Sequence, residues 1–401
     1  MKYDFTSVID RSGKDAVAVD GLGCDGYPSL PKEGFDAIPM WVADMNFFTC
    51  PAISEAIIRR TEHPVFGYFD PSEAFFDAII GWHKTRNHLD TLQRKHIGYE
   101  NSVIGGLMTA LKVLCSQGDP VLVHSPAYTG FTKTLARAGY RVVLSPLEQD
   151  AEGVWRMDYA DMEEKILREH IHTVILCSPH NPTGRVWERQ ELERAMEIFR
   201  RHDVYVISDE IWSDVILSGH VHVPTLSVSE DARSRTVALY SPTKGFNIAA
   251  LVGAYHITYN QWLHDRMKKE AALTCYNEMN VMFMHALMAA YSSEGAQWLD
   301  ALRDVLSENV NFAADYIRDY LPGVSVAKTQ GTYIMFLDCS QWCEEHGKDL
   351  DEVLQAGWDA GVVWQDGRPF YGKCHIRMTL ASPTNRVREA FDRLNRCVFN
   401  A

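Results

Sequence analysis

A run of short, almost wholly apolar segments separated by amphipathic stretches constrains this chain more than any other feature. The segments fall at 102–104, 121–124, 142–145, 173–178 (TVILCS), 204–208 (VYVIS) and 236–240 (TVALY). Between them the pattern predicts helices over about 106–116, a stretch ending at Gly139, and 188–202. Strands in a sheet with one wet face alternate apolar and polar residues. Strands without that alternation are buried on both faces, and parallel neighbours need a helical crossover. The expectation is therefore an α/β fold, a mostly parallel mixed sheet covered on both sides.

The flanks read differently. The first fifty residues are irregular and rich in Gly, Pro and Asp, and helices are predicted from Pro51 and over 72–88. After Tyr259 come helices over 261–274 and 279–320, strands over 333–337 and 375–380, and a last helix after Pro383. We expect three parts: an N-terminal segment (1–50) packing with both other units, a large domain (51–290) and a smaller α+β domain (291–401). Residues 21–26, GLGCDG, have the spacing of a dinucleotide-binding turn, and the preceding AVAVD could be a strand. But Tyr27-Pro28 and Leu30-Pro31 follow where such a turn must open a helix, so the segment reads as a loop.

Charge and cysteine usage narrow the partners. With 39 basic and 53 acidic residues the formal charge is −14, which repels nucleic acid and anionic membrane alike. The longest apolar stretch, 248–257, is too short to span a bilayer. Nine cysteines, an odd number with no C-x-x-C pair, fit reduced thiols rather than a disulfide framework or a metal site. No apolar run occupies the first thirteen residues. The expected location is the cytoplasm, and no metal is expected.

Four motifs follow strands. Ser241-Pro242-Thr243-Lys244-Gly245-Phe246-Asn247 follows TVALY and puts a lysine, with two hydroxyls before it, where α/β proteins bind ligands. Asp209-Glu210 ends VYVIS, and a buried acidic pair requires a cationic partner. Ser178-Pro179-His180-Asn181-Pro182-Thr183-Gly184 presents Asn181 from a stiff loop. Gly105-Gly106-Leu107 precedes a predicted helix whose N-terminus would favour an anion, and Tyr128 offers an aromatic face. Each alone has a plainer explanation: an exposed lysine, a helix cap, a turn, a core tyrosine.

Together and in this order, the motifs resemble the fold-type I pyridoxal 5′-phosphate (PLP) enzymes of the class I/II aminotransferase group, over about Pro39 to Pro383. The resemblance implies that Lys244 carries the cofactor as a Schiff base and is the general base. It pairs Asp209 with the ring nitrogen, Asn181 with the ring oxygen and Tyr128 with the ring face. The phosphate falls to the amides of Gly106 and Leu107, the hydroxyls of Ser241 and Thr243, and Tyr68 of a second subunit, which implies a homodimer. Arg377 takes the substrate α-carboxylate. Trp41 and Trp212 could line the far end of the substrate, with Ala43 beside it, or pack in the core.

Pro39–Met45 (PMWVADM), Pro179–Trp187 (PHNPTGRVW) and Phe246–Leu251 (FNIAAL) are similar to the cystathionine β-lyase and cystalysin-like branch. So is apolar Val252, where aspartate-aminotransferase-like members have arginine. Asn46, Trp212, Thr379 and Thr384 depart from that branch. The implied reaction is α,β-elimination from a thioether amino acid such as cystathionine. An aminotransferase is the alternative, and a PLP-binding regulatory protein a third.

Overall fold

A computed structural model describes residues 2–274 and 277–400. Among these residues the largest sheet has eight strands, in the order Ile97–Glu100, Ala254–Ile257, Thr236–Tyr240, Tyr205–Asp209, Thr173–Cys177, Pro120–Ser125, Arg141–Gln149 and Trp155–Met157. The five from Thr236–Tyr240 to Arg141–Gln149 are parallel; the outer pairings are antiparallel. Helices Val103–Leu114, Thr129–Arg137 and Gln261–Thr274 cover one face, through Leu107, Leu111, Leu135 and Met267. Tyr159–Glu169 and Arg189–Arg201 cover the other, through Met162, Leu192 and Phe199. Burial on both faces is why these strands carry no alternation, and each such side chain contributes about 1.5–3 kcal/mol.

Three elements differ from expectation. The apolar run at 102–104 opens a helix instead of forming a strand. Ser102 is extended and its Oγ accepts from the Gly105 amide, which caps Val103–Leu114. AVAVD forms a short helix, Val17–Asp20, whose Asp20 carboxylate accepts from the Gly13 and Ala16 amides; GLGCDG is a turn, as read. The long helix over 279–320 is two, Val281–Ala290 and Ser293–Tyr320, because Ser292 caps the second while buried Tyr291 stacks on Trp82.

A four-stranded antiparallel sheet forms the core of the C-terminal part, in the order Ser325–Val326, Ile334–Asp338, His375–Thr379, Gln365–Asp366. The N-terminal segment joins it: Ile38–Pro39 pairs with Val362–Val363, and the Thr379 and Asn46 amides donate to the Met40 and Ala381 carbonyls. Asn247 then clasps the same segment to the large sheet. Its Nδ2 donates to the Met45 and Phe47 carbonyls at 3.0 and 2.9 Å, and its Oδ1 accepts from the Met45 amide. Residues 43–47 are thus fixed between both units, directly over Lys244.

Strand Pro120–Ser125 lies between Arg141–Gln149 and Thr173–Cys177, so the direction of winding reverses beside it. The carboxyl ends of strands at such a reversal leave a crevice for ligands.

Candidate active site

The crevice is a cavity of 210 Å³, lined by Ala43, Ser102, Val103, Ile104, Tyr128, Cys177, Asn181, Asp209, Ile211, Trp212, Thr243, Lys244, Ala249, Val252 and Gly253. Four consecutive strand ends supply its floor. Tyr128 follows Pro120–Ser125, Asn181 follows Thr173–Cys177, Asp209 closes Tyr205–Asp209, and Lys244 follows Thr236–Tyr240. A wider cavity of 940 Å³, bounded by the N-terminal segment, shares Ala43, Lys244 and Ala249 with it.

Lys244 is half-buried. Its Nζ donates to the Ala43 carbonyl at 2.8 Å and lies 5.8 Å from the centre of the Trp212 ring. Burial, with help from the Arg377 charge, brings its pKa down to about 8. An amine that deprotonates so near neutrality is suited to condensation with an aldehyde and to proton abstraction. The Tyr333 hydroxyl donates to the same Ala43 carbonyl at 3.1 Å and packs edge-on against Trp212.

Asp209 is buried, and its Oδ1 accepts from the Ile211 amide. Burial pushes its pKa up to about 7, and it makes no ion pair among the described residues. Asn181 is also buried; its Oδ1 has no hydrogen-bond partner among the described residues. Tyr128 lies on the cavity wall, edge-on to Phe131.

Arg377 is buried without a carboxylate partner among the described residues. Its Nη1 donates to Gln365 Oε1 (2.8 Å) and reaches the Trp41 carbonyl (3.3 Å), and its Nε is unsatisfied. Burial lowers its pKa to about 10. A buried guanidinium in this state is a receptor for an anion.

At the far end of the cavity the helix Val103–Leu114 aims its N-terminus inward. The Gly105 amide goes to Ser102 Oγ and the Gly106 amide to the Ser102 carbonyl at 2.8 Å. Helix geometry leaves the amides of Val103 and Ile104 without an acceptor. This corrects the expectation for Gly106 and Leu107, which lie within the helix. Leu107 packs in the core, and a Cβ at Gly106 would stand 2.7 Å from Leu239 and 2.9 Å from Glu100. Gly106 lets the helix approach the sheet instead of cradling an anion. Ser241 accepts from the Thr243 amide, and its Oγ lies 2.7 Å from the Gly253 carbonyl; Thr243 itself lines the cavity.

One further expectation changes. The Trp41 side chain packs with Leu22 and Val363 and donates to the Ala18 carbonyl, so it is core, and only its carbonyl reaches Arg377. Trp212 does line the cavity. Tyr68 is fully exposed and outside the cavity lining of this single chain. Among the departures, Asn46 accepts from Arg11 Nη1 and donates to the Pro39 carbonyl, while Arg11 also pairs with Asp44. Thr379 hydrogen-bonds Met40 through its backbone, and nothing in the structure explains Thr384. The Val103 and Ile104 amides, Tyr333 and Gln365 had escaped the sequence reading. Ser102 before an apolar run was the signal for the first two; the others carried none.

The residues fit PLP: a lysine for its aldehyde, an unpaired carboxylate for a pyridinium nitrogen, an amide with unmet hydrogen-bonding capacity for a ring oxygen, and a helix N-terminus for a phosphate.

Residues 37–394 match the family described as aminotransferase class I and II. The chain is similar to cystathionine beta-lyase PatB of Bacillus subtilis, at 35% identity over 80% of this chain and 82% of that one. It is similar to protein MalY of Escherichia coli, at 34% identity over 84% of each. Its fold matches that of the PLP-bound C-S lyase of Staphylococcus hominis, with a TM-score of 0.89 and 28% identity over 99% and 98% of the two chains.

Proposed function

This chain belongs to the aminotransferase class I and II family, and on that footing we infer that it is a PLP-dependent carbon–sulfur β-lyase. Its substrates are cystathionine or smaller S-substituted cysteines, which it converts to a thiol, pyruvate and ammonia. The observation that carries the reading is a half-buried, easily deprotonated lysine in one site with a carboxylate and a guanidinium that make no ion pair among the described residues. The lyase branch is supported by the relatives named cystathionine beta-lyase and C-S lyase, and by apolar Val252 on the cavity wall.

The chemistry supplied by the cofactor when bound is withdrawal of electrons from the substrate Cα, which acidifies its proton and lets a thiolate leave Cβ. Lys244 removes that proton. Asp209 holds the proton of the ring nitrogen, Asn181 the ring oxygen, and Tyr128 the ring face. The amides of Val103 and Ile104 and the Thr243 hydroxyl hold the phosphate. Arg377 orients the α-carboxylate, so that the Cα–H bond faces the base. Trp212 and Tyr333 exclude water above Lys244.

We place the protein in the cytoplasm, as a homodimer of subunits whose large and small domains meet near residue 290. The described cysteines are all free, which fits a reducing compartment. The exposed aromatic loop at Tyr68 supports the dimer.

Product identity tests the reaction. Purified protein given cystathionine should release pyruvate, ammonia and homocysteine in equal amounts. Keto acid formed from the intact substrate, with accumulation of pyridoxamine phosphate, would make it an aminotransferase.

A further inference from the structure

Asp209 and Glu210 are consecutive at a strand end, so their side chains leave on opposite sides. Asp209 faces the cavity. Glu210 faces away and is completely buried, yet it is fully hydrogen-bonded. Oε1 accepts from Ser208 Oγ (3.0 Å) and the Thr225 amide (2.9 Å); Oε2 accepts from the Tyr240 hydroxyl (2.6 Å) and lies 2.8 Å from His222 Nε2. These donors come from its own strand, from the loop that follows and from the neighbouring strand. His83 of helix Glu73–Asn87 and Tyr255 of strand Ala254–Ile257 complete the titratable shell.

A carboxylate with both oxygens saturated by donors is held ionised. We propose that Glu210 is a positioning residue whose negative charge, locked behind Asp209, strengthens the hold of Asp209 on the proton of the cofactor's ring nitrogen. The proposal rests on the PLP reading and goes beyond it, because it assigns the ring proton to two carboxylates in series. Burial raises the Glu210 carboxyl, but its contacts with His222, Tyr240 and Thr225 outweigh that and keep it below the usual range. Its charge in turn adds to the rise at Asp209. Three of the four donors, the Ser208 and Tyr240 hydroxyls and the Thr225 amide, are neutral groups; the fourth is His222, and a charge on it is the outcome that the test separates.

The test uses the holoenzyme reconstituted with PLP labelled at the ring nitrogen, and nitrogen NMR to find the pH at which that nitrogen loses its proton. Glu210→Gln keeps the shape and removes the charge, and the midpoint should fall by about one pH unit. Glu210→Asp keeps the charge on a shorter arm, and its midpoint should stay near the wild type. An unmoved midpoint in Glu210→Gln, as a cancelling charge on His222 would give, overturns the proposal. So does Glu210→Asp falling as far as Glu210→Gln, since shape then matters and charge does not. Should Glu210→Gln fail to fold, infrared spectra of wild-type protein with labelled glutamate decide. A protonated buried glutamate at pH 8 overturns the proposal, and a carboxylate sustains it. A chain that takes up no cofactor gives no bound signal at all, which is failure of the PLP reading instead.

Discussion

At the scale of single residues, burial sets the chemistry. Lys244 is lowered to about 8 chiefly by desolvation, so part of it is a free base at neutral pH. Lys244→Ala should leave the fold intact, lower kcat by about 10³-fold or more, and abolish borohydride fixation of PLP to the 241–247 peptide. Peptide mapping after reduction checks this, and label on any other lysine would refute it. Arg377 makes no ion pair among the described residues, so the cost of burying it is met only when an anion arrives. Arg377→Ala should raise KM by about 100-fold, the worth of one or two charge-assisted hydrogen bonds, with a smaller effect on kcat. Asp209 gives a pH signature in the cofactor-free chain. Its folded pKa of about 7 lies above its unfolded value, so between pH 4 and 7 the folded state binds the extra proton. Stability then falls as pH rises through that window. Apo Asp209→Asn should therefore melt higher than apo wild type at pH 8 and alongside it at pH 4. Equal melting temperatures at both pH values would show that Asp209 pays no desolvation penalty.

At the scale of elements, the helix Val103–Leu114 and the segment 43–47 decide whether the site is assembled. Gly106→Ala would place a methyl group against Leu239 and Glu100. The helix must then retreat from the sheet, and overpacking of this kind costs about 1–3 kcal/mol. Because the same helix aims its amides into the cavity, PLP affinity should fall together with the melting temperature. Loss of stability with unchanged PLP affinity would separate the helix from the phosphate. Elements also show where sequence was enough. Lys244, Asp209 and Asn181 were legible because each follows an apolar strand whose end is unmistakable, and the parallel core followed from the missing alternation. The unpaired amides of the helix start lie three residues before the expected ones because 102–104 is apolar enough to pass for a strand, and capping by Ser102 overrode that propensity. Trp41 was misread because an aromatic beside a motif has no sequence signature that tells core from cavity. Gln365 and Tyr333 meet the site from the small sheet, over distances along the chain that no local pattern encodes.

At the scale of the whole molecule, the site described so far lacks charge where a phosphate needs it. Among the residues that line the 210 Å³ cavity, Lys244 is the sole cation, and the wall also carries apolar Val252, Ala249 and Gly253. Two helix amides and a hydroxyl are modest partners for a dianion. On the outside of the same chain, Val65, Phe66 and Tyr68 are exposed in one loop, with Phe48 and Val252 also exposed. Exposed apolar groups gathered on one molecule mark an interaction surface, and a closed assembly of identical chains is a two-fold dimer in the commonest case. If Tyr68 completes the neighbour's phosphate site, each active site draws on two chains, and this can be tested without a further structure. Tyr68→Ala should bind PLP weakly, and Lys244→Ala should be inert. Mixed after dissociation and allowed to reassociate, half of the dimers are hybrids. In each hybrid one site pairs an intact Lys244 with an intact Tyr68, while the other carries both lesions. Activity should return to roughly a quarter of wild type, and should track the hybrid fraction measured by mass spectrometry of the intact assemblies. Recovery no greater than the sum of the two separate mutants would place Tyr68 and Lys244 in the same chain's site or in none. A single-chain mass in sedimentation at assay concentration, with full activity, would remove the dimer altogether.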